Sequence, residues 1–252
     1  MKKNTFATLV LSDIHLGNKH AKINELISFL KNCSCDKLIL NGDIIDGWQL
    51  QKTSGKWQKS YTDFFKVIMR MMEKQATKVI YVRGNHDDFL DQILPLRILN
   101  FRVVHNYTHY SKGKKYLVLH GDIFDTVTSN IKWLALLGDI GYTFLLWYNK
   151  KHNAKRLKKG LPYDSISQRI KKRVKQAVAY ISGFEESIKD FASFKQLDGV
   201  ICGHIHQAEN KYIGKVHYLN SGDWVESLTA LAEDYDGNWH VLTYEGVLHK
   251  EK

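Results

Sequence analysis

Asp13 and His15, Asp43 and Asp46, Asn85 and His86, His120, and His204 and His206 occur in five short blocks, each directly after an apolar run. Carboxylates, imidazoles and an amide oxygen are ligands for first-row divalent metals. Hard carboxylates favour manganese or iron, and imidazoles also accept zinc. No cysteine stands among these residues, which argues against a structural zinc knot. Each block alone has a plain structural alternative. Asp13 can cap a helix, His120 can be a satisfied buried histidine, and Gly203-His204-Ile205-His206 can be an exposed turn. Five blocks at five strand ends point instead to one shared site.

The elements that must carry these blocks follow from hydrophobic periodicity. Phe6 to Leu11 reads as a buried strand, Ile23, Leu26, Ile27 and Leu30 recur at helical spacing, and Lys37 to Leu40 makes a second strand ending at Asp43. Tyr61 to Met72 is an amphipathic helix, and Lys78 to Val82 is a strand before Asn85. Val103 to Tyr110 and Lys115 to Leu119 read as a hairpin around Lys112-Gly113, whose second arm ends at His120. Gly199 to Cys202 precedes His204, and short strands are expected at Val216 to Leu219, Leu228 to Ala232 and Trp239 to Tyr244. The order is that of an α/β protein whose sheet keeps its ligands at the carboxyl edge.

Between Thr126 and Phe194 the strand pattern stops and two helices dominate. The first is rich in Trp133, Leu137, Phe144 and Trp147, and the second opens at Pro162 and Asp164. The chain is therefore expected to be a single domain over 1–252, with a helical cap inserted at about 126–195. Of the net charge of +11, the segment 150–175 holds eleven lysines and arginines against Asp164 alone. That segment is either a solvated helix face or a docking patch for an anion: nucleic acid, an anionic membrane or a phosphorylated substrate. Cys33, Cys35 and Cys202 are too few for a disulfide framework, and Cys33 and Cys35 are expected as small buried residues before a strand. The start of the chain has no apolar signal segment, so the expected location is cytoplasmic. The apolar stretch from Ile131 to Tyr148 is interrupted by Lys132, Gly138, Asp139 and Gly141 and does not read as a membrane span. The oligomeric state is open.

Taken in order, Asp-x-His at 13, Gly-Asp-x-x-Asp at 42, Gly-Asn-His-Asp at 84, His-Gly-Asp at 120 and Gly-His-x-His at 203 resemble the calcineurin-like metallophosphoesterase superfamily. The resemblance implies a two-sheet sandwich flanked by helices and a site for two divalent metal ions, with Mn2+ expected and Fe or Zn as alternatives. It implies Asp13, His15 and His206 on one metal, Asn85, His120 and His204 on the other, and Asp43 bridging both. It also implies that His86 acts as a catalytic residue oriented by Asp46. Two metals held about 3.5–4 Å apart acidify a water and stabilise charge on phosphoryl oxygens.

Residues 12–17, 42–48, 120–125 and 220–226 further resemble the UDP-2,3-diacylglucosamine hydrolase-like branch, which cleaves a lipid-linked nucleotide to lipid X and UMP in lipid A biosynthesis. His86 stands where the best-known members of that branch carry arginine. The resemblance implies an anionic small-molecule or lipid-linked nucleotide substrate and peripheral contact with the anionic inner membrane through 150–175. A nucleotide phosphodiester or nucleic acid is the alternative substrate, and a non-catalytic scaffold of the same fold is a further one.

Overall fold

The computed structural model describes residues 3–53, 55–125, 152, 156, 181 and 183–248. β1 (Asn4–Leu11), β2 (Cys33–Asn41) and β3 (Lys78–Val82) are parallel neighbours at the centre of a seven-stranded sheet. With β4 (Leu96–Ile98), β5 (Phe101–Val104), β11 (Thr229–Glu233) and β12 (Trp239–Thr243) its order is β12-β11-β1-β2-β3-β5-β4. The second sheet has five strands in the order β6-β7-β8-β10-β9. They are β6 (Tyr107–Ser111), β7 (Lys114–Val118), β8 (Gly199–Cys202), β9 (Glu209–Ile213) and β10 (Val216–Asn220).

Toward their C-terminal ends the central strands are buried on both faces, so there they read as apolar runs with no alternation. The period of two still sorts their side chains. Leu9 and Leu11, Leu38 and Leu40, and Val79 and Tyr81 pack with α1 (Ile23–Lys31) and α3 (Lys59–Gln75). Val10, Ile39, Ile80 and Val82 point the other way and meet Tyr116, Val118, Ile201 and Leu219 of the second sheet. The two-sheet sandwich flanked by helices is thus present.

The chain divides into two compact units, one made of 1–124 with 188–252 and the other of 125–187. Of the second unit, residues 152, 156, 181 and 183–187 are helical. The helices expected at Asn130 to Tyr148 and from Pro162 onward otherwise fall outside the described residues, and so does most of the basic segment. No described helix is long and apolar enough to cross a membrane.

Two local expectations are corrected. Val103 to Tyr110 is not one hairpin arm: β5 pairs in parallel with β3 in the first sheet, while β6 pairs with β7 in the second. The break falls at His105-Asn106, where the chain leaves one sheet for the other. Cys33 and Cys35 lie within β2, because that strand begins four residues before Lys37 and buries both against the helices. The short elements β4, β9 and α2 (Gly47–Lys52) lack the apolar periodicity that would announce them.

Asp87 ties together the loops that leave β2 and β3. Its carboxylate is fully buried and accepts from the amides of Ile44 (3.2 Å), Ile45 (2.8 Å) and Gly84 (3.2 Å) and from the Tyr81 hydroxyl (2.7 Å). Burial, then the neighbouring Asp43, pushes its pKa up to about 6. The four donors are what keep such a carboxylate useful in the interior. Asp87→Ala strips all four of their acceptor, and orphaned buried donors cost about 1–3 kcal/mol each. Urea unfolding of that variant is expected to show a loss of about 3 kcal/mol or more, and a loss below about 1 kcal/mol would contradict this role.

Candidate metal centre

The site is built where β1, β2, β3, β7 and β8 end. Asp13, His15, Asp43, His204 and His206 all have left-handed backbone, with φ between 50° and 67°. Asp and His tolerate that region better than most residues, yet each instance still costs of order 1–3 kcal/mol. The loops hold it because they bond to one another. Asp13 N donates to Gly42 O (3.1 Å), His15 N to Asp43 O (2.9 Å) and Gly203 N to His120 O (2.9 Å). Gly84 permits a close approach, since a Cβ there would collide with the backbone nitrogen and Oδ1 of Asp43.

The two central carboxylates are held in the same manner. His204 N donates to Asp13 Oδ2 at 2.9 Å, and His86 N donates to Asp43 Oδ1 at 2.8 Å. Each carboxylate therefore spends one oxygen on the backbone and turns the other toward imidazoles. Asp13 Oδ1 lies 3.2 Å from His206 Nε2 and 3.8 Å from His15 Nε2. Asp43 Oδ2 lies 3.4 Å from His120 Nε2, 3.7 Å from His15 Nε2 and 3.9 Å from His86 Nε2. Burial alone would raise both carboxyl pKa values, but the surrounding histidines, His206 foremost for Asp13 and His120 for Asp43, hold them well below the usual range.

His120 shows how a ring is prepared for a cation. Its Nδ1 sits 3.1 Å from the Asn41 carbonyl, which can only accept, so Nδ1 carries hydrogen and Nε2 is the atom facing Asp43. Burial opposes a charge on this ring, yet Asp43 and Asp13 override it and push its pKa up to about 10. A field that binds a proton so firmly is the field a divalent cation would meet.

The donors fit metal ions. Asp13, His15 and His206 can each offer one ligand atom within 4.8 Å of the others, and so can Asp13, Asp43 and His120, and His15, Asp43 and His86. His15 Nε2, His120 Nε2 and the Asn85 Oδ1 are buried and make no hydrogen bond. A buried acceptor without a partner costs about 1–3 kcal/mol, and coordination would remove that cost. His204 falls outside these compact groups, but its ring packs on His120 with centroids 5.0 Å apart.

Asp46 links two rings, with Oδ1 3.1 Å from His86 Nδ1 and Oδ2 3.5 Å from His15 Nδ1. Its Oδ1 also accepts from Gln49 N and so caps α2. The expected pairing of Asp46 with His86 is therefore accompanied by a contact with His15 that the spacing does not suggest. Trp48 lies against the His86 ring at 4.2 Å.

Asp223 and Trp224 are further residues of the site's frame. Trp224 N donates to Asp13 O at 3.1 Å, while the Asp223 carboxylate accepts from Val225 N, Glu226 N and Ser227 Oγ and lies 3.9 Å from His206 Nδ1. Their signal in the sequence is the Asn-Ser-Gly-Asp-Trp run at 220–224.

A family model of the calcineurin-like phosphoesterases matches residues 6–208. Comparison with curated proteins returns no match. Among solved structures, the chain is similar to Vps29 of Chaetomium thermophilum at 11% identity and TM-score 0.46, covering 94% of this chain and 93% of that one. It is also similar to an archaeal phosphodiesterase at 13% identity and TM-score 0.41, covering 93% and 98%. A conserved uncharacterised protein of Streptococcus pneumoniae, described as a predicted phosphoesterase, aligns at 13% identity and TM-score 0.39, covering 94% and 89%. At such identities and TM-scores these likenesses bear on neither substrate nor partner. The family match extends over most of the chain and contains every residue of the five blocks, and the chain belongs to the calcineurin-like phosphoesterase family.

Proposed function

We propose that this protein is a two-metal hydrolase of phosphoesters or pyrophosphates. The observation that carries the reading is the pair Asp13 and Asp43, each with one oxygen held by a backbone amide and the other turned to imidazoles. Asp13, His15 and His206 would hold one divalent ion, Asn85, His120 and His204 the other, and Asp43 both, with Mn2+ as the proposed metal. When bound, two such ions supply an acidified water and neutralise charge growing on phosphoryl oxygens. His86 stands beside them with its side chain 16% exposed, oriented by Asp46 and backed by Trp48. From there its imidazole can donate a proton or hydrogen bond to the leaving oxygen.

The proposed substrate is UDP-2,3-diacylglucosamine, cleaved at its pyrophosphate to UMP and lipid X. Its support is the resemblance carried by residues 12–17, 42–48, 120–125 and 220–226, of which the last is bonded to Asp13 through Trp224. The basic segment 150–175 would then meet an anionic membrane surface, and the protein would work at the cytoplasmic face.

UMP release is measured with metal-stripped protein before and after Mn2+ is added, beside bis(p-nitrophenyl) phosphate as a generic diester. UMP release that depends on metal and far exceeds the generic rate supports the lipid substrate. Generic turnover alone keeps the hydrolase and discards that substrate. Asp43→Asn is expected to lose metal and activity together, as read by metal content and turnover. His86→Ala is expected to keep its metals while kcat falls about 10²- to 10⁴-fold. Wild-type kcat in that variant would refute the role of His86.

A further inference from the structure

A second cluster of charge lies far from the metal centre. Lys37 on β2, Lys78 on β3, Arg102 on β5 and Arg97 on β4 line one pocket of about 590 Å³, together with Ile80 and Tyr107. Alternation puts these cations on the face of the first sheet that also carries Ile39 and Ile80, at the margin the second sheet leaves open. No carboxylate lines the pocket among the described residues.

The register makes the cluster costly. Lys37 is directly opposite Lys78, and Arg97 is directly opposite Arg102. Like charges in directly opposed positions destabilise a sheet. Lys37 is partly relieved from the other side, because its Nζ donates to His109 Nδ1 at 2.9 Å and His109 Nε2 lies 2.9 Å from Glu233. Burial, resisted by Glu233 and reinforced by Lys78, still lowers the Lys37 pKa. Lys78, Arg97 and Arg102 have no such partner in the pocket and are exposed.

Four adjacent strands at about 4.8 Å spacing set the row at about 14 Å long. One phosphate cannot meet four cations spread over that length, whereas a chain of phosphoryl groups can. We propose that this pocket is a second anion site, which binds a run of two or three phosphoryl groups, free or carried by a nucleoside. Lys37 lies four residues before Asn41, the last residue of β2, and at about 3.3 Å per residue the strand alone sets the pocket about 13 Å from the edge where the loop carrying Asp43 begins. Occupancy of one site leaves the other open.

The test is calorimetric titration of the metal-loaded full chain with methylenediphosphonate and, in a second arm, with α,β-methylene-ADP. Neither probe can be hydrolysed at its bridging position. Two binding events per chain are expected in the wild type. The exposed double variant Lys78→Ala/Arg102→Ala is expected to lose one event, weakening it at least tenfold, while metal content and turnover of the generic diester stay within twofold. Asp43→Asn is expected to keep that event and lose the other. If the double variant titrates like the wild type, or Asp43→Asn abolishes all binding, the pocket is not an anion site. Tighter binding of the nucleotide than of the free diphosphonate assigns the nucleoside-borne form, and equal binding assigns the free form. Because the two variants report on separate events, failure of the metal centre and failure of this pocket are distinguishable.

Discussion

The backbone amide that pins one oxygen of a buried carboxylate is the interaction on which the candidate metal centre depends. His204 N holds Asp13 and His86 N holds Asp43, and in each case the donor belongs to a loop that itself carries candidate ligands. One hydrogen bond therefore sets the carboxylate's direction and the neighbouring block's position together. The left-handed conformations of five candidate residues are the local cost of bringing the loops this close, and glycine at position 84 is needed where a side chain would strike Asp43. Two sheets packed through Val10, Ile39, Ile201 and Leu219 supply the rigid base beneath.

Electrostatics then follows from burial. Asp13 and Asp43 are almost wholly removed from water, and imidazoles are their nearest counter-groups. The arrangement lowers the carboxyl pKa values and raises that of His120, so the site is set to take up positive charge. Asp87 serves a different purpose at almost the same depth. All of its hydrogen bonds go to backbone amides and one tyrosine, which makes it a structural anchor within two residues of Asn85.

Much of this was legible in the residue order. Asp13, His15, Asp43, His120 and His206 each follow an apolar run, and the structure gathers them because parallel strands end at one edge. The helix-side and sheet-side faces of β1 and β2 are not visible as alternation over Leu9–Leu11 and Leu38–Leu40, since both faces are buried there and each of these positions is apolar. The division of Val103 to Tyr110 between two sheets depends on which partner each half finds, and local pattern carries no such information. Asp87 acts through bonds to Ile44 and Ile45, more than forty residues away, and Trp48 through ring contact with His86, so their types alone could not single them out. The row formed by Lys37, Lys78, Arg102 and Arg97 is dispersed in sequence and appears only when register sets the strands side by side.

The most direct measurement is a crystal structure of the protein grown with Mn2+, using anomalous scattering to locate the ions. Two anomalous peaks are expected in contact with Asp43, one shared with Asp13, His15 and His206 and the other with Asn85, His120 and His204. A single peak, or peaks that leave Asp43 without a metal contact, would contradict the paired-carboxylate centre.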